Sequence, residues 1–380
     1  MTTSGQLPRP VRDPLWDNTR LLAALLICAG HFTDPFITPG NSWAALWVAL
    51  WPLRVPVFVV LAGRFTSTEP LTWGRMWRLV RDVGFVYVIF QTIAIVQTGW
   101  YRGLWDWSYD EPGLALWFLM SLLVWRVLAP LLWRLPGRWW WAFALGLGSG
   151  FLDVTTQWAW ARTLGWLPVF MVGLALRDPQ VVNFLRRPRM RVLAGAVLGV
   201  GVAAGALWGG SVRRSPMMMR SGYSGDFSAQ LGEMVGRAGL YAVAIALALA
   251  LIAVMPRRRV WGWTTLGAGS FTVYLLHPVV LRYVADLGVY TDLVTTARCV
   301  AWAVAAVALG VVLASAPVRH SVAWLVRPAT VERRLVRVFT DAPSAIHRLV
   351  RPSPPRVETP DVDGHDLSMQ RSPQGVHPHV

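Results

Sequence analysis

The sequence of 380 residues contains no lysine, so all 36 of its basic residues are arginine. It has only two cysteines, Cys28 and Cys299, and both lie within apolar stretches. Two such distant cysteines exclude a disulfide framework and a cysteine-rich zinc site. Charged residues are also scarce, at 15%, whereas 54% of the residues are hydrophobic. This balance excludes disorder of the whole chain and argues against an ordinary soluble enzyme.

The apolar residues are grouped in blocks of about 16 to 22, which is long enough for a helix to cross a bilayer. The mean hydropathy of +0.43 agrees with that reading. We therefore predict an all-α fold, a polytopic integral membrane bundle of about ten transmembrane helices. The predicted spans cover residues 20–38, 43–63, 80–98, 114–132, 139–153, 160–176, 192–209, 238–255, 266–285 and 297–316.

The net charge of +16 could indicate a nucleic-acid partner, but the positions of the arginines indicate membrane topology instead. If the N-terminus is cytoplasmic, 26 arginines fall in inner segments and seven in outer loops. The other three, Arg54, Arg126 and Arg282, lie within spans. Because short cytoplasmic segments are enriched in basic residues, we predict that both termini are cytoplasmic. We also predict a multi-pass protein of the cell membrane, with the lipid bilayer and no nucleic acid as partner.

The chain is predicted to have three parts. Residues 1–19 form a polar cytoplasmic segment, and residues 20–318 form the membrane domain. Residues 319–380 form a basic, Pro-rich cytoplasmic tail that we expect to be largely disordered. Within the tail, residues 331–339 mix arginines with apolar residues and predict a short amphipathic helix on the inner leaflet.

The first predicted span carries four ionisable residues on one face. Asp17, Arg20, His31 and Asp34 fall within a stripe about 100° wide at 3.6 residues per turn. Ionisable side chains are costly inside a membrane, so the stripe is a functional candidate in which His31 accepts a proton and Asp34 orients it. A structural interpretation stays equally open, with a helix cap, an interfacial anchor and an interhelical hydrogen bond.

Two more groups of polar residues have a functional and a structural interpretation. Arg75, Arg78 and Arg81 are spaced three apart before the third span and could bind the phosphates of an anionic cytosolic substrate. Ordinary positive-inside charge is the simpler alternative. His277 lies in the ninth span beside Pro278, which is expected to kink the helix and free a carbonyl group. A structural hydrogen bond and a catalytic role are both open for His277.

Several short motifs occur in order along residues 15–320. The first has an Asp and an Arg three residues apart, followed after ten residues by His31. The others are residues 55–65, the basic group at 75–81, residues 116–126 with Trp117, residues 162–173 and residues 274–278. This ordered set resembles the acyltransferase-3 superfamily, and within it the fucose 4-O-acetylase-like enzymes. The sequence differs from the usual family pattern at Leu21, Ala62 and Arg64.

The resemblance implies an integral-membrane O-acyltransferase. Such enzymes move an acyl group, usually acetyl from acetyl-CoA, to a hydroxyl of a glycan or a lipid-linked sugar. Acyl-CoA would then be a co-substrate, with no cofactor and no metal. The main alternative is a transporter or flippase for an acidic or lipid-linked solute, and a non-catalytic membrane scaffold is a third interpretation.

Under the resemblance, each candidate residue receives an expected role. His31 is the general base, or it carries the acyl group transiently, and Asp34 holds its tautomer. Arg20, paired with Asp17, positions the donor or stabilises developing negative charge. The expected substrate-binding residues are Arg75, Arg78 and Arg81 at the donor phosphates, together with Trp117 and His277.

Overall fold

The computed structural model describes residues 13–37, 42–113, 115–152, 157–212, 214–290, 295–329 and 332. This part of the chain consists of α-helices joined by turns and short 3₁₀ segments, with no β-strand among the residues described. The predicted all-α fold class is therefore confirmed. Cys28 and Cys299 are both buried and free, as expected of small apolar packing residues.

The described residues of the first half of the chain form nine helices, and the side chain of Asp13 caps the first of them. They are α1 (Pro14–Thr33), α2 (Ser42–Leu50), α3 (Val55–Arg64), α4 (Trp73–Leu79), α5 (Phe85–Arg102), α6 (Trp117–Arg134), α7 (Arg138–Gly148), α8 (Trp160–Gly165) and α9 (Leu167–Ala175). A single π-helical turn, Val80–Gly84, joins α4 to α5 into one continuous helix.

The second half of the chain also forms nine helices within the described residues. They are α10 (Pro179–Leu185), α11 (Pro188–Trp208), α12 (Arg214–Met217), α13 (Phe227–Val254), α14 (Trp263–Gly267), α15 (Ser270–Asp286), α16 (Thr296–Ala314), α17 (Ala316–Ser321) and α18 (Ala323–Val326). Pro or Asp at the start of several of these helices supplies a residue with fixed φ or a side-chain acceptor for a free N–H group.

Six helical stretches in the described residues are long and apolar enough to cross a membrane. They are Ser42–Arg64, Trp73–Arg102, Trp117–Arg134, Pro188–Ser211, Phe227–Val254 and Thr296–Ala314. The other four predicted spans correspond to α1, which carries the polar stripe, to α7 and the pair α8–α9, which are short, and to the 17 residues of α15. The count of ten and the cytoplasmic position of the termini stay predictions.

The second predicted span is broken near its middle. Pro52 lies in a 3₁₀ turn, Trp51–Leu53, between α2 and α3. Proline has no N–H group to donate and its ring clashes with the preceding turn, so the α-helix ends there. The α-helix begins again after Arg54. The side chain of Arg54 points into the protein, and the residue is only 5% exposed. The break therefore places a guanidinium group at the level of the buried core.

The centre of the bundle is formed by α1, which packs against α3, α14, α15 and α16. Next to it, α3 and α9 cross at two glycines. A Cβ atom on Gly63 would lie 2.2 Å from the carbonyl oxygen of Phe170, and one on Gly173 would lie 2.1 Å from that of Val60. Only glycine permits this close backbone approach, which is a common way of packing membrane helices.

The predicted cytoplasmic tail is described only in its first part. Residues 319–329 belong to or follow α17 and α18, and Glu332 forms an ion pair with Arg81. Residues 1–12 and 333–380 lie outside the described residues, and so does nearly all of the predicted amphipathic stretch 331–339. The expected disorder of the tail stays a prediction.

Candidate active site

Two histidines from distant parts of the sequence meet in the core of the bundle. His31 on α1 and His277 on α15 face each other, with 2.9 Å between His31 Nδ1 and His277 Nε2. The ring centroids are 5.1 Å apart and the ring planes differ by 22°. With that spacing the rings lie edge to edge and close to coplanar, which suits a hydrogen bond between the two nitrogens.

The hydrogen bonds of His277 determine which nitrogen of each ring carries the proton. His277 Nδ1 lies 2.8 Å from the carbonyl oxygen of Val273, one turn earlier on α15. A carbonyl oxygen only accepts, so His277 Nδ1 donates, and in a neutral ring His277 Nε2 is then the acceptor. His31 must therefore donate from Nδ1. The remaining nitrogen of His31, Nε2, keeps its lone pair, which is the form that a general base requires.

His31 lines a cavity of about 180 Å³, called here the His31 cavity. Its wall is aromatic and cationic, and it includes Trp117, which the sequence analysis selected. The aromatic, basic and acidic side chains that line it together with His31 are Trp47, Trp51, Trp117, Trp166, Arg54, Arg162, Arg220 and Asp34. A concave, largely aromatic site with a few convergent polar groups is the usual form of a small-ligand pocket.

Arg54 is a further residue of this site. Its position within a predicted span is evident from the sequence, but it was not among the predicted site residues. Its Nη2 donates to the carbonyl oxygen of Trp47 at 3.2 Å, and its guanidinium lies 4.1 Å from the Trp47 ring centroid. Gly30 makes room for it, since a Cβ there would lie 1.9 Å from Arg54 Nη1. An arginine inside an apolar span was the available signal, because such residues usually face a bundle interior.

The hydrogen-bond partner of His31 is His277 and not Asp34. The helix α1 ends at Thr33, and Asp34 begins a 3₁₀ turn, so helical spacing from His31 no longer describes its position. The carboxylate of Asp34 instead accepts from Trp47 Nε1 at 2.6 Å, while it still lines the His31 cavity. The pairing with His277 could not be found by spacing, because 246 residues separate the two histidines.

Arg20 lines a second cavity, of about 300 Å³, called here the Arg20 cavity. Its Nη1 lies 3.5 Å from Asp17 Oδ1, as the predicted ion pair requires, and its guanidinium stacks 3.8 Å from the Phe65 ring centroid. Arg126 and Arg327 line the same cavity, and Asp82 is the carboxylate among its lining residues. Arg20 and His31 are eleven residues apart on α1, roughly 16 Å along the helix, so the two cavities lie at different levels.

A chain of aromatic contacts connects the Arg20 cavity to the histidine pair. Phe58 and Phe118 line that cavity, and their ring centroids are 5.3 Å apart. Both rings contact Tyr274, at 5.5 and 5.6 Å, and Tyr274 in turn lies 6.4 Å from His277. The hydroxyl of Tyr274 donates to the carbonyl oxygen of Ala115, which holds its ring in place. We name Phe58, Phe118 and Tyr274 the aromatic partition.

The three arginines of the predicted basic group line neither the His31 cavity nor the Arg20 cavity. Arg75 donates to the carbonyl oxygen of Pro70 at 2.9 Å, and Arg78 is exposed. Arg81 pairs with Asp82 at 2.7 Å and with Glu332. Of this region, only Asp82 and Val83 line the Arg20 cavity. Trp117, by contrast, lies at the His31 cavity, where the guanidinium of Arg162 stacks 4.9 Å from its ring.

Within the described residues, no three side chains of His, Cys, Asp or Glu form a group that could hold a metal ion. The residues around the His31 cavity can perform acid–base or nucleophilic chemistry at His31, with guanidinium groups nearby to bind anions or stabilise developing negative charge.

The order of the motifs and the geometry of the site agree with a comparison to protein families. The family model described as an acyltransferase domain, that of the acyltransferase-3 family, matches residues 14–317. No curated protein and no solved structure matches the chain at a significant level. The matched region contains both histidines of the pair, all six apolar helices and, except for Arg327, every residue that lines the two cavities. This chain belongs to the acyltransferase-3 family and is a membrane acyltransferase.

Proposed function

We propose that this protein is an O-acyltransferase of the cell membrane that moves an acyl group, acetyl in the simplest case, from acyl-CoA to a hydroxyl of a glycan or lipid-linked acceptor. The observation that carries the proposal is the histidine pair. Its hydrogen bonds leave His31 Nε2 unprotonated beside a cavity. A base held in one tautomer beside a site of this size is what alcohol activation requires.

The acceptor hydroxyl gives its proton to His31 Nε2 as its oxygen attacks the thioester carbonyl. His31 is then an imidazolium, and it continues to donate from Nδ1 to His277 Nε2, so the pair shares the positive charge. A guanidinium near the reacting carbonyl would stabilise the tetrahedral oxyanion. When the intermediate collapses, the C–S bond breaks and the leaving thiolate takes the proton from His31. The products are an ester and free CoA, and the neutral histidine pair is restored.

The donor is assigned to the Arg20 cavity because of its guanidinium groups. Arg20, Arg126 and Arg327 suit the phosphates and the polar part of an acyl-CoA. Arg75, which is half-buried, and Arg78, which is exposed, would contact phosphates that extend beyond the cavity. The thioester must then pass the aromatic partition to reach His31. A slender pantetheine arm can do so if Phe58 and Phe118 change rotamer, since a phenylalanine side chain has no hydrogen bond to break.

Labelled transfer tests the proposal. Membranes that contain the protein are incubated with acetyl-CoA labelled in the acetyl group, and matched membranes without it serve as the control. We expect label in an acceptor only when the protein is present, and we expect mild alkali to release it, because an ester is alkali-labile and an amide is not. Label that resists mild alkali would contradict O-acylation.

The alternative of a transporter or flippase has one observation in its favour, the helix broken at Pro52 beside the His31 cavity. It makes a different prediction in the same assay. A transporter moves its solute without forming a covalent bond, so no labelled acceptor would accumulate. The absence of protein-dependent labelling, with solute uptake that depends on the protein, would favour this alternative.

A further inference from the structure

The His31 cavity has an unbalanced charge. Among the described residues that line its volume of about 180 Å³ are three arginines, Arg54, Arg162 and Arg220, and one acidic residue, Asp34. That carboxylate also accepts a hydrogen bond from Trp47 Nε1. One carboxylate cannot neutralise three guanidiniums. Like charges in a partly dehydrated space repel one another, so such a cavity favours an anionic occupant.

The guanidinium of Arg54 is held in the wall of the cavity by its surroundings. Its side chain is 5% exposed, lies over the Trp47 ring and is accommodated by the missing side chain of Gly30. Arg162 is stacked on Trp117 in the same cavity. A guanidinium group stacked on a ring, such as that of Arg162, is preorganised, and its planar set of N–H donors suits carboxylate and phosphate oxygens.

The remaining wall of the cavity suits a sugar ring. Trp47, Trp51, Trp117 and Trp166 supply flat apolar faces, and the rings of Trp51 and Trp166 are 5.7 Å apart. The volume is below the roughly 300–1,000 Å³ of pockets for drug-sized ligands. It therefore fits one sugar unit with a charged substituent rather than a longer stretch of polymer.

We propose that the acceptor hydroxyl belongs to a sugar unit that carries an anionic group, a carboxylate or a phosphate, and that Arg162 binds this group, with Arg54 and Arg220 adding positive charge to the cavity wall. This inference rests on the proposed O-acyltransferase function. It adds that the substrate is an acidic sugar and that the guanidiniums of the His31 cavity select it. The anion orients the ring, and the neighbouring hydroxyl is presented to His31 Nε2.

The charge of the labelled product tests the inference first. The acceptor labelled by acetyl-CoA is released from membranes and applied to an anion exchanger at pH 7. We expect retention and elution with salt. Partition between organic solvent and water then separates a phosphate on a lipid carrier from a carboxylate of a glycan. A labelled product that passes through the exchanger as a neutral molecule would overturn the inference while leaving the acyltransferase intact.

Competition with small probes tests it independently. Methyl glucuronide carries a carboxylate, glucose 1-phosphate carries a phosphate, and methyl glucoside is neutral. We expect at least one of the two anions to inhibit transfer about tenfold more strongly than methyl glucoside, and we expect extra acetyl-CoA not to relieve that inhibition. Equal potency of all three probes, or no inhibition by either anion, would contradict the inference.

Variants connect the inhibition to the cavity. Arg162→Gln should weaken inhibition by the anionic probe about tenfold, whereas Arg162→Lys should retain part of it. Arg191→Gln is the matched control, because it removes one positive charge from an exposed site on α11 outside both cavities. Wild-type inhibition in Arg162→Gln would overturn the inference. Complete absence of protein-dependent labelling in the wild type would instead count against the proposed function itself.

Discussion

At the scale of single residues, the chemistry depends on which atoms a histidine ring faces. The carbonyl oxygen of Val273 determines the tautomer of His277, and His277 determines that of His31. A proton position in the core is therefore set by the backbone of α15. In known catalytic histidines, too, one ring nitrogen is hydrogen-bonded to a fixed partner, which leaves the other nitrogen free to exchange a proton.

Removal of that partner should impair catalysis without removing the base. We expect His277→Ala to lower kcat on the order of 10²-fold, because His31 can then adopt the other tautomer, and KM for acyl-CoA should change little. His277→Gln should recover part of the rate, since its amide oxygen can accept from His31 Nδ1. The measurement is steady-state transfer of labelled acetyl in membranes with matched protein abundance.

Asp34→Asn supplies the comparison for that prediction. Its carboxylate is held by Trp47 and not by His31, so its loss should cost less than the loss of His277. An Asp34→Asn enzyme that is more impaired than His277→Ala would contradict the assignment of His277 as the positioning residue.

At the scale of helices, the two cavities depend on how closely the backbones approach. The crossing of α3 and α9 at Gly63 and Gly173 places Phe58 and Arg54, on or beside α3, against the rest of the site. Residues 55–65 and 162–173 are two of the motifs that resembled the family, and the structure shows that they pack against each other. Each of the two motifs contains a glycine, and because glycine has no side chain, the backbone of the other helix can come close to it.

A methyl group at that crossing should destabilise the fold. We expect Gly173→Ala to lower stability by about 1–3 kcal/mol, because the new Cβ would meet a backbone carbonyl oxygen that cannot move aside. Thermal unfolding in detergent measures the effect. Gly199→Ala on α11 is the control, since nothing lies within 4 Å of its Cβ and the same change should be neutral or stabilising. Equal effects of both substitutions would disprove the close crossing.

The sequence predicts the elements well where a periodic apolar pattern extends over a full helix. The all-helical fold and the positions of Asp17, Arg20 and His31 on one helix follow from spacing, and the structure contains both. The Asp17–Arg20 pair, which was expected under the family resemblance, is also present. Two facts could not be read in this way. Asp34 does not lie where a continued helix would place it, because α1 ends at Thr33. Arg54 enters the site because Pro52 breaks a span, and a break redirects side chains by an angle that the sequence does not specify.

At the scale of the whole molecule, we propose one cavity for a donor and another that contains the base, with the aromatic partition between them. A closed partition would then keep water from the thioester until an acceptor is bound. Under the same proposal, the arginines are divided among topology, donor binding and acceptor binding. The absence of lysine suits the last two uses, because only guanidinium groups bind oxyanions in a planar, two-pronged manner.

The two arginines on α4 are expected to contribute to donor binding. We expect Arg75→Ala and Arg78→Ala each to raise KM for acetyl-CoA about two- to fivefold with little change in kcat, since exposed charge pairs contribute at most about 1 kcal/mol. Dephospho-CoA thioesters, which lack one phosphate, should discriminate less between wild type and variants. If KM is unchanged in the double variant, these residues do not contact the donor and serve membrane topology only.

The most direct test of the central claim is the rate of acetyl transfer by His31→Ala beside that of His320→Ala. His320 lies exposed on α17, outside both cavities, so its replacement controls for the loss of a histidine. At equal protein abundance, we predict a loss on the order of 10²–10⁴-fold for His31→Ala, as expected for a missing general base, and a wild-type rate for His320→Ala. A His31→Ala enzyme that transfers acetyl at the wild-type rate would contradict the account.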